Sequence, residues 1–239
     1  MGLTFDWAGV FTGQPAQWFL GGLVVTLVLT VVASVFASLV AVGLTAARLS
    51  PVGAVRGVTR GFVSLFRNTP LLVQLLVWYF VGFTVLPGPV KIWLTDDHPW
   101  AVLPGQVSLF APEFLASAWG LGLFIGVFLS EEIRAGLNAV SPGQREAAAS
   151  QGLSGWDTLQ SILLPQALAN ARQAIVGQYL NLMKLTSITC SIGLAEITYQ
   201  ARLVESYNSH AFEAFAVGTI LYLLIGFILE RLFALRRRA

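Results

Sequence analysis

One uncharged stretch limits the fold more than any other feature. From Trp18 to Ala46 the chain is almost wholly apolar, and no charge follows until Arg48. About 20 apolar residues are enough for a helix to cross the hydrocarbon core. In lipid the backbone must satisfy its own hydrogen bonds, so such a stretch is helical. Comparable segments recur, giving expected spans at 18–47, 68–86, 114–137, 171–195 and 212–233, with a polar loop at 139–166. The chain is 56% hydrophobic and only 11% charged, against about 25% charged in soluble domains. The expectation is an all-α integral membrane protein with a single transmembrane domain over 1–239. That leaves no room for a soluble catalytic or nucleotide-binding domain. The start, MGLTFDWAGVFTGQP, carries Asp6 and no basic n-region, so the first span is expected to be retained. Cys190 is the lone cysteine, so no intrachain disulfide can form.

Charge placement sets the orientation. Arg48, Arg56, Arg60 and Arg67 fall in a segment with no acid, which the positive-inside rule puts in the cytoplasm. Pro51, Gly53, Gly57 and Gly61 make this segment read as a connection at the interface. Residues 87–113 hold Asp96, Asp97 and Glu113 against Lys91, and five prolines (87, 89, 99, 104 and 112) predict an irregular outside loop. Trp93 and Trp100 read as interface anchors. His98 has no second histidine or cysteine nearby, so a solvated loop is the better reading than a metal site. Residues 196–210 form a second outside segment, and the basic Arg236–Arg238 tail belongs inside. The topology is five helices, N-terminus out and C-terminus in.

Polar residues within the spans carry the functional signal. Gly22, Thr26, Thr30, Ser34 and Ser38 recur every four residues, a stripe suited to close helix packing. Ala118, Gly122, Gly126, Ser130 and Arg134 form a second stripe, read as a smooth path leading to an arginine. Arg134 either pairs with Glu131 three residues away or meets a substrate carboxylate. Lys184 lies near the middle of a segment that also carries Gln178, Asn181, Thr186, Ser187 and Thr189. Facing lipid it would cost ~2.5–3.5 kcal/mol on insertion scales, so this helix is expected to line a polar path or pack against a partner.

The longest polar interval is Ser141–Pro165, SPGQREAAASQGLSGWDTLQSILLP. Ser141 with Pro142 and Gln144 predicts a capped helix, with a capping box, that stops at Gly152. Ser154 with Asp157 predicts a second short helix. Two short helices between spans suit contact with something outside the membrane. The chain has no Walker A, HExxH or GxSxG motif and no cysteine pair, so no catalytic or metal-binding residues are assigned. Selective passage is the expected chemistry, and five helices are thin for a complete pathway, so a second subunit is expected. An ion-gradient secondary transporter and a non-conducting assembly subunit are the alternatives. The first usually places a carboxylate mid-span, whereas Glu131, Glu132 and Glu230 lie at helix ends.

Glu146-Ala147-Ala148, Gly152 four residues after Ala148, and Ile162-Leu163-Leu164-Pro165 resemble the EAA loop of permease subunits of ABC importers. Leu65–Gln74 (LFRNTPLLVQ), Glu131–Gly136 (EEIRAG) and Lys184–Ser187 (KLTS) are similar to patterns of the polar amino-acid branch, in the family's order. Trp78-Tyr79 followed by Leu86-Pro87, and Tyr207–Glu213 (YNSHAFE), look most like glutamate/aspartate-type permease subunits. Two departures stand out: Leu185 replaces an acid or amide, and Gln173-Ala174 replaces paired prolines. The resemblance implies the type I ABC importer permease fold, forming half of a translocation pathway in a bacterial cytoplasmic (inner) membrane. Its cytoplasmic coupling helix would dock on an ATP-binding cassette subunit through Glu146, Ala147, Ala148, Gly152, Leu153 and Pro165. ATP and Mg would be bound by that partner, with no cofactor in this chain. A second permease subunit, identical or homologous, and a periplasmic or surface substrate-binding protein complete the set, and no nucleic acid is involved. For an acidic amino acid, Arg134 and Lys184 are the candidate cationic contacts. Ser130, Asn181 and Thr186 would be hydrogen-bond partners, and Glu196 would meet the ammonium group.

Overall fold

The computed structural model describes residues 5–235, with the side chain of Leu235 left aside; the basic tail Arg236–Arg238 lies outside the described residues. The chain is mostly helical. In order come α1 (Gly13–Leu49), α2 (Gly53–Arg67), α3 (Leu71–Val85), α4 (Gly88–Thr95), a two-stranded antiparallel hairpin and α5 (Pro112–Asn138). The chain goes on through α6 (Pro142–Ser150), α7 (Gly155–Thr158), α8 (Leu164–Leu185), α9 (Ile197–Asn208) and α10 (Ala211–Leu235). Among the described residues, Gly13–Leu49, Pro112–Asn138 and Ala211–Ala234 are each long and apolar enough to cross a membrane alone. α3 reaches that measure only together with α2. The most apolar window of α5 is 72% buried, against 33% and 28% for α1 and α10. α5 is therefore an inner helix, while α1 and α10 leave apolar surface for lipid or partners.

The residues divide into two compact units, one of the chain up to Phe36, Thr69–Gly122 and Leu180 onward, the other of Ala37–Asn68 and Leu123–Tyr179. In the first unit, Phe19 of α1 packs with Val10 and with Ala201, Val204, Ala214 and Val217 of α9 and α10. Gly22 fits here because nothing larger would. A Cβ would lie 3.1 Å from the backbone at Glu196 and Ile197 and 2.7 Å from Gln200 Cγ. One turn on, Thr26 Oγ1 accepts a hydrogen bond from the Ile197 N–H at 3.3 Å, satisfying a donor that the start of α9 leaves free. The first small-residue stripe thus does the packing expected of it, the means by which helices associate where lipid is as apolar as leucine.

Residues 87–113 are more ordered than five prolines suggest. Pro89 sits in the first turn of α4, where a missing N–H costs nothing. Val102–Leu103 pairs with Val107–Ser108 across a turn in which Gly105 and Gln106 take φ of +90° and +61°. His98 is half-buried, and among the described residues it joins no cluster of metal-ligating side chains. Its ring packs 4.7 Å from Trp93 and 5.1 Å from Phe110, and its Nε2 lies 2.7 Å from the Trp93 carbonyl oxygen. Trp93 and Trp100 both meet Phe110 of this cluster edge-to-face.

In the second unit, the connection over 53–67 is itself helical. Gly57 and Gly61 face open space, while Thr59 and Val63, one turn apart, are buried. Burying that stripe outweighs the roughly 1 kcal/mol that each interior glycine costs a helix. The end of α5 packs on the start of α8 through Leu137, Val140, Leu163 and Ala167, with Ile133, Leu159 and Ile162 around them.

The path predicted along 118–134 is filled. A Cβ on Gly122 would collide with the Phe36 ring within the first unit. Within the second, one on Gly126 would meet Val40 at 2.7 Å and the Ala37 carbonyl at 2.8 Å. These glycines seat bulky side chains of α1, so the stripe is a packing surface. The segment expected at 171–195 also differs: α-helix runs from Leu164 to Leu185 and tightens to a 3-10 helix over Thr186–Ile192, ended by Gly193 at φ +90°.

Candidate functional site

The polar interval folds as one local design. Pro142 occupies the first position of α6 after Ser141. The capping box does not form. The Gln144 N–H bonds the Ser141 carbonyl at 3.0 Å instead of the hydroxyl, and the Ser141 side chain makes no cap bond. The Gln144 side chain is engaged elsewhere, its Oε1 accepting from Gln166 Nε2 of α8 at 3.3 Å.

The far end of α6 explains the spacing of the EAA–x3–G pattern. Gly152 has φ +75°. Its N–H bonds the Ala149 carbonyl at 3.0 Å, and the Leu153 N–H reaches back to Ala148 at 3.1 Å. This pair of bonds is a Schellman cap, which requires a left-handed residue at C′, a conformation glycine adopts without steric cost. Ala148, four residues earlier, supplies the accepting carbonyl and is only 2% exposed. Glu146 and Ala147 are exposed, as are Leu153 and Pro165, and Trp156 is 68% exposed. An acid, a small apolar face and two large apolar side chains therefore stand open on one short segment.

Ser154 caps α7. Its Oγ accepts from the Asp157 N–H at 3.1 Å and donates to Asp157 Oδ2 at 2.6 Å. The helix it starts is not a separate short one. α7 runs through a π-helical turn, Leu159–Leu163, directly into α8. Pro165 gives the reason: it has no N–H to donate, and in α-helix its ring would clash with the Ser161 carbonyl. Widening the preceding turn relieves that conflict and lets one rod run from Gly155 to Leu185.

Among the pathway candidates, Arg134 is half exposed and bonds Glu131 through Nη2 at 3.1 Å. Spacing alone foretold that pair. It could not foretell that Arg67 also reaches Glu131 at 3.0 Å and that Arg48 forms an ion pair with it. Glu131 is thus the hub for three arginines. Glu132 accepts from Gln178 Nε2 at 3.1 Å. Ser130 and Thr186 are fully buried, each hydroxyl turned back on its own helix, to the Val127 and Met183 carbonyls at 2.7 Å. Glu196 is fully buried too. Its Oε1 caps α9 by accepting from the Tyr199 N–H at 2.9 Å, and Tyr222 donates to its Oε2. All three are turned inward to structural bonds. Asn181 and Lys184 are exposed on α8. Sequence reasoning missed Tyr222, a phenol whose pairing with Glu196 spans 26 positions.

A family model for the binding-protein-dependent transport system inner membrane component matches residues 39–238. The glutamate/aspartate import permease protein GltJ of Escherichia coli K12 is 30% identical over 232 residues, covering 94% of this chain and 90% of that one. The arginine transport system permease protein ArtQ of Bacillus subtilis is 28% identical over 212 residues, covering 89% and 87%. A crystal structure of an amino acid ABC transporter with histidines superposes with a TM-score of 0.77 at 26% identity, over 99% of both chains. The exposed segment built on Glu146, Ala148 and Gly152 lies inside the matched range, and the chain belongs to the family of binding-protein-dependent transport system inner membrane components.

Proposed function

We propose that this protein is the transmembrane permease subunit of an ATP-driven importer for a polar amino acid, glutamate or aspartate before others. The carrying observation is the capped, outward-facing α6–α7 segment, with buried Ala148 and left-handed Gly152, in a chain of this family. The segment docks on an ATP-binding subunit, which binds ATP and Mg and does the hydrolysis, and its displacement switches the spans between two states. Five crossings, N-terminus outside and C-terminus inside a bacterial cytoplasmic membrane, put this segment on the cytoplasmic side. A substrate-binding protein delivers from the opposite face, and a second permease subunit completes the pathway. The acidic substrate is supported by the relationship to GltJ and by the cations Arg134 and Lys184.

Of the six pathway candidates, Arg134, Asn181 and Lys184 present accessible side chains, and Lys184 leads because Glu131 already engages Arg134. The test is uptake of radiolabelled glutamate, aspartate, glutamine and arginine by the reconstituted complex. Lys184→Ala should lower acidic amino-acid uptake at least about tenfold, the loss of one charge-assisted hydrogen bond, with insertion unchanged. Uptake that continues without the ATPase subunit and collapses with the ion gradient would overturn the reading.

A further inference from the structure

The four arginines between the first two spans have the charge pattern of ordinary topology signals. Their arrangement does more than set orientation. Arg48 from the end of α1, Arg56, Arg60 and Arg67 from α2, and Arg134 from α5 line one cleft of about 570 Å³, all within the second unit. Glu131 is the single acid lining it. Five guanidinium groups around one carboxylate leave four positive charges without a countercharge from the cleft itself.

The groups are also held in place. Arg48 has a side chain only 13% exposed. Arg56 donates through Nη1 to the Ser50 and Pro51 carbonyls at 2.7 and 2.8 Å, and Arg60 Nε lies 3.4 Å from the Arg56 carbonyl oxygen. Arg56, Arg60 and Arg67 share one face of α2, while Val55, Val58 and Leu65 stand exposed on the opposite face. An amphipathic helix of this kind lies in the membrane interface with its charged face at headgroup level.

We infer that this arginine cleft is a binding site for a multivalent phosphate-type anion. Guanidinium forks match phosphate oxygens two at a time, and several forks converging from three helices favour an anion with more than one such group or more than one charge. Two sources carry that chemistry: the two-phosphate headgroup of a cardiolipin-type lipid, which a cytoplasmic basic pocket between membrane helices recognises, and a soluble polyphosphate. The lipid source rests on the proposed cytoplasmic placement of this face; the anion site itself does not.

The test uses the full-length chain with its copurifying subunits in nanodiscs. Phosphatidylcholine discs are compared with discs that also contain cardiolipin, whose headgroup carries two phosphates, and retained lipid is read by native mass spectrometry. Inorganic tripolyphosphate is titrated into the phosphatidylcholine discs, and the melting temperature is followed. Selective retention of cardiolipin identifies the lipid source, and a saturable rise in melting temperature with tripolyphosphate identifies the soluble one. In either case the double variant Arg56→Gln/Arg60→Gln should weaken binding at least about tenfold, the loss expected when charge-assisted hydrogen bonds are removed. Arg56→Lys/Arg60→Lys, which keeps the charge but not the fork, should fall between. Equal melting temperatures of the variants without added anion show that the fold is kept; if the glutamine pair fails this control, the lysine pair decides. Absence of both signals, or equal binding by the variants that fold, overturns the inference. So does displacement of the anion by the transported amino acid, which would make the cleft part of the substrate path. Uptake measured on the same preparations separates this outcome from failure of the transport reading.

Discussion

Replacing Gly152 isolates one physical quantity. Its φ of +75° lies in the left-handed region, and a Cβ built there meets nothing within 4 Å. Alanine at this position would clash with no neighbour, so its whole effect is the backbone cost of that conformation, about 1–2 kcal/mol for a residue with a Cβ. At 25 °C this raises the local opening equilibrium of the cap by roughly 5- to 30-fold. Asparagine tolerates the left-handed region and should cost less, and valine, being β-branched, more. Hydrogen exchange at the Gly152 position and Leu153, whose N–H groups make the cap bonds, should speed up in the order Gly, Asn, Ala, Val. In the reconstituted complex, substrate transported per ATP hydrolysed should fall in the same order, with the amount of inserted protein unchanged. If Gly152→Val exchanged as slowly as the parent, the backbone argument would be wrong. If it exchanged faster yet coupled normally, this segment would not transmit the ATPase cycle.

Two further substitutions test the packing and the charge hub. Gly126→Ala should lower stability by about 1–3 kcal/mol through overpacking against Val40 and the Ala37 carbonyl. Val40→Ala removes only the Cγ contact and should rescue it only in part, since the Cβ at 2.7 Å and the carbonyl remain, and thermal melting in detergent reads both. Glu131→Gln removes the carboxylate that three arginines share, two of the four side chains being 15% exposed or less. It should cost several kcal/mol, as removal of one partner of a buried pair does. Arg134→Ala, half exposed, should cost no more than about 1 kcal/mol. Denaturant titration that ranked Arg134→Ala above Glu131→Gln would contradict the hub.

What could be read from the sequence was what depends on neighbours along the chain. The α6 stop at Gly152 and the cap at Ser154 are local chemistry, and both are found as expected. The apolar length of Gly13–Leu49, Pro112–Asn138 and Ala211–Ala234 is local as well. The capping box failed because Gln144 has a distant rival partner in Gln166. The stripe of Gly122 and Gly126 gave the right residues and the wrong use, because periodicity reveals a small-residue face and not the Phe36 or Val40 that fills it. Glu196, assigned to an ammonium group, serves its own helix terminus and Tyr222 instead. The second π-helical turn, Trp78–Gly82 in α3, has no proline to announce it, and nothing in its sequence explains it.

The turn from Gln151 to Ser154 has a consequence for assembly. One helix closes and the next opens within it, and its backbone hydrogen bonds are made to residues of the same segment. Fixing a residue's backbone costs about 1–2 kcal/mol of entropy. Here that cost is met while the subunit folds, before any partner arrives. Docking of the segment then loses little conformational freedom, and contact area converts more fully into affinity. Such a surface is ready on first encounter, so the order in which the subunits come together should matter little to whether they fit.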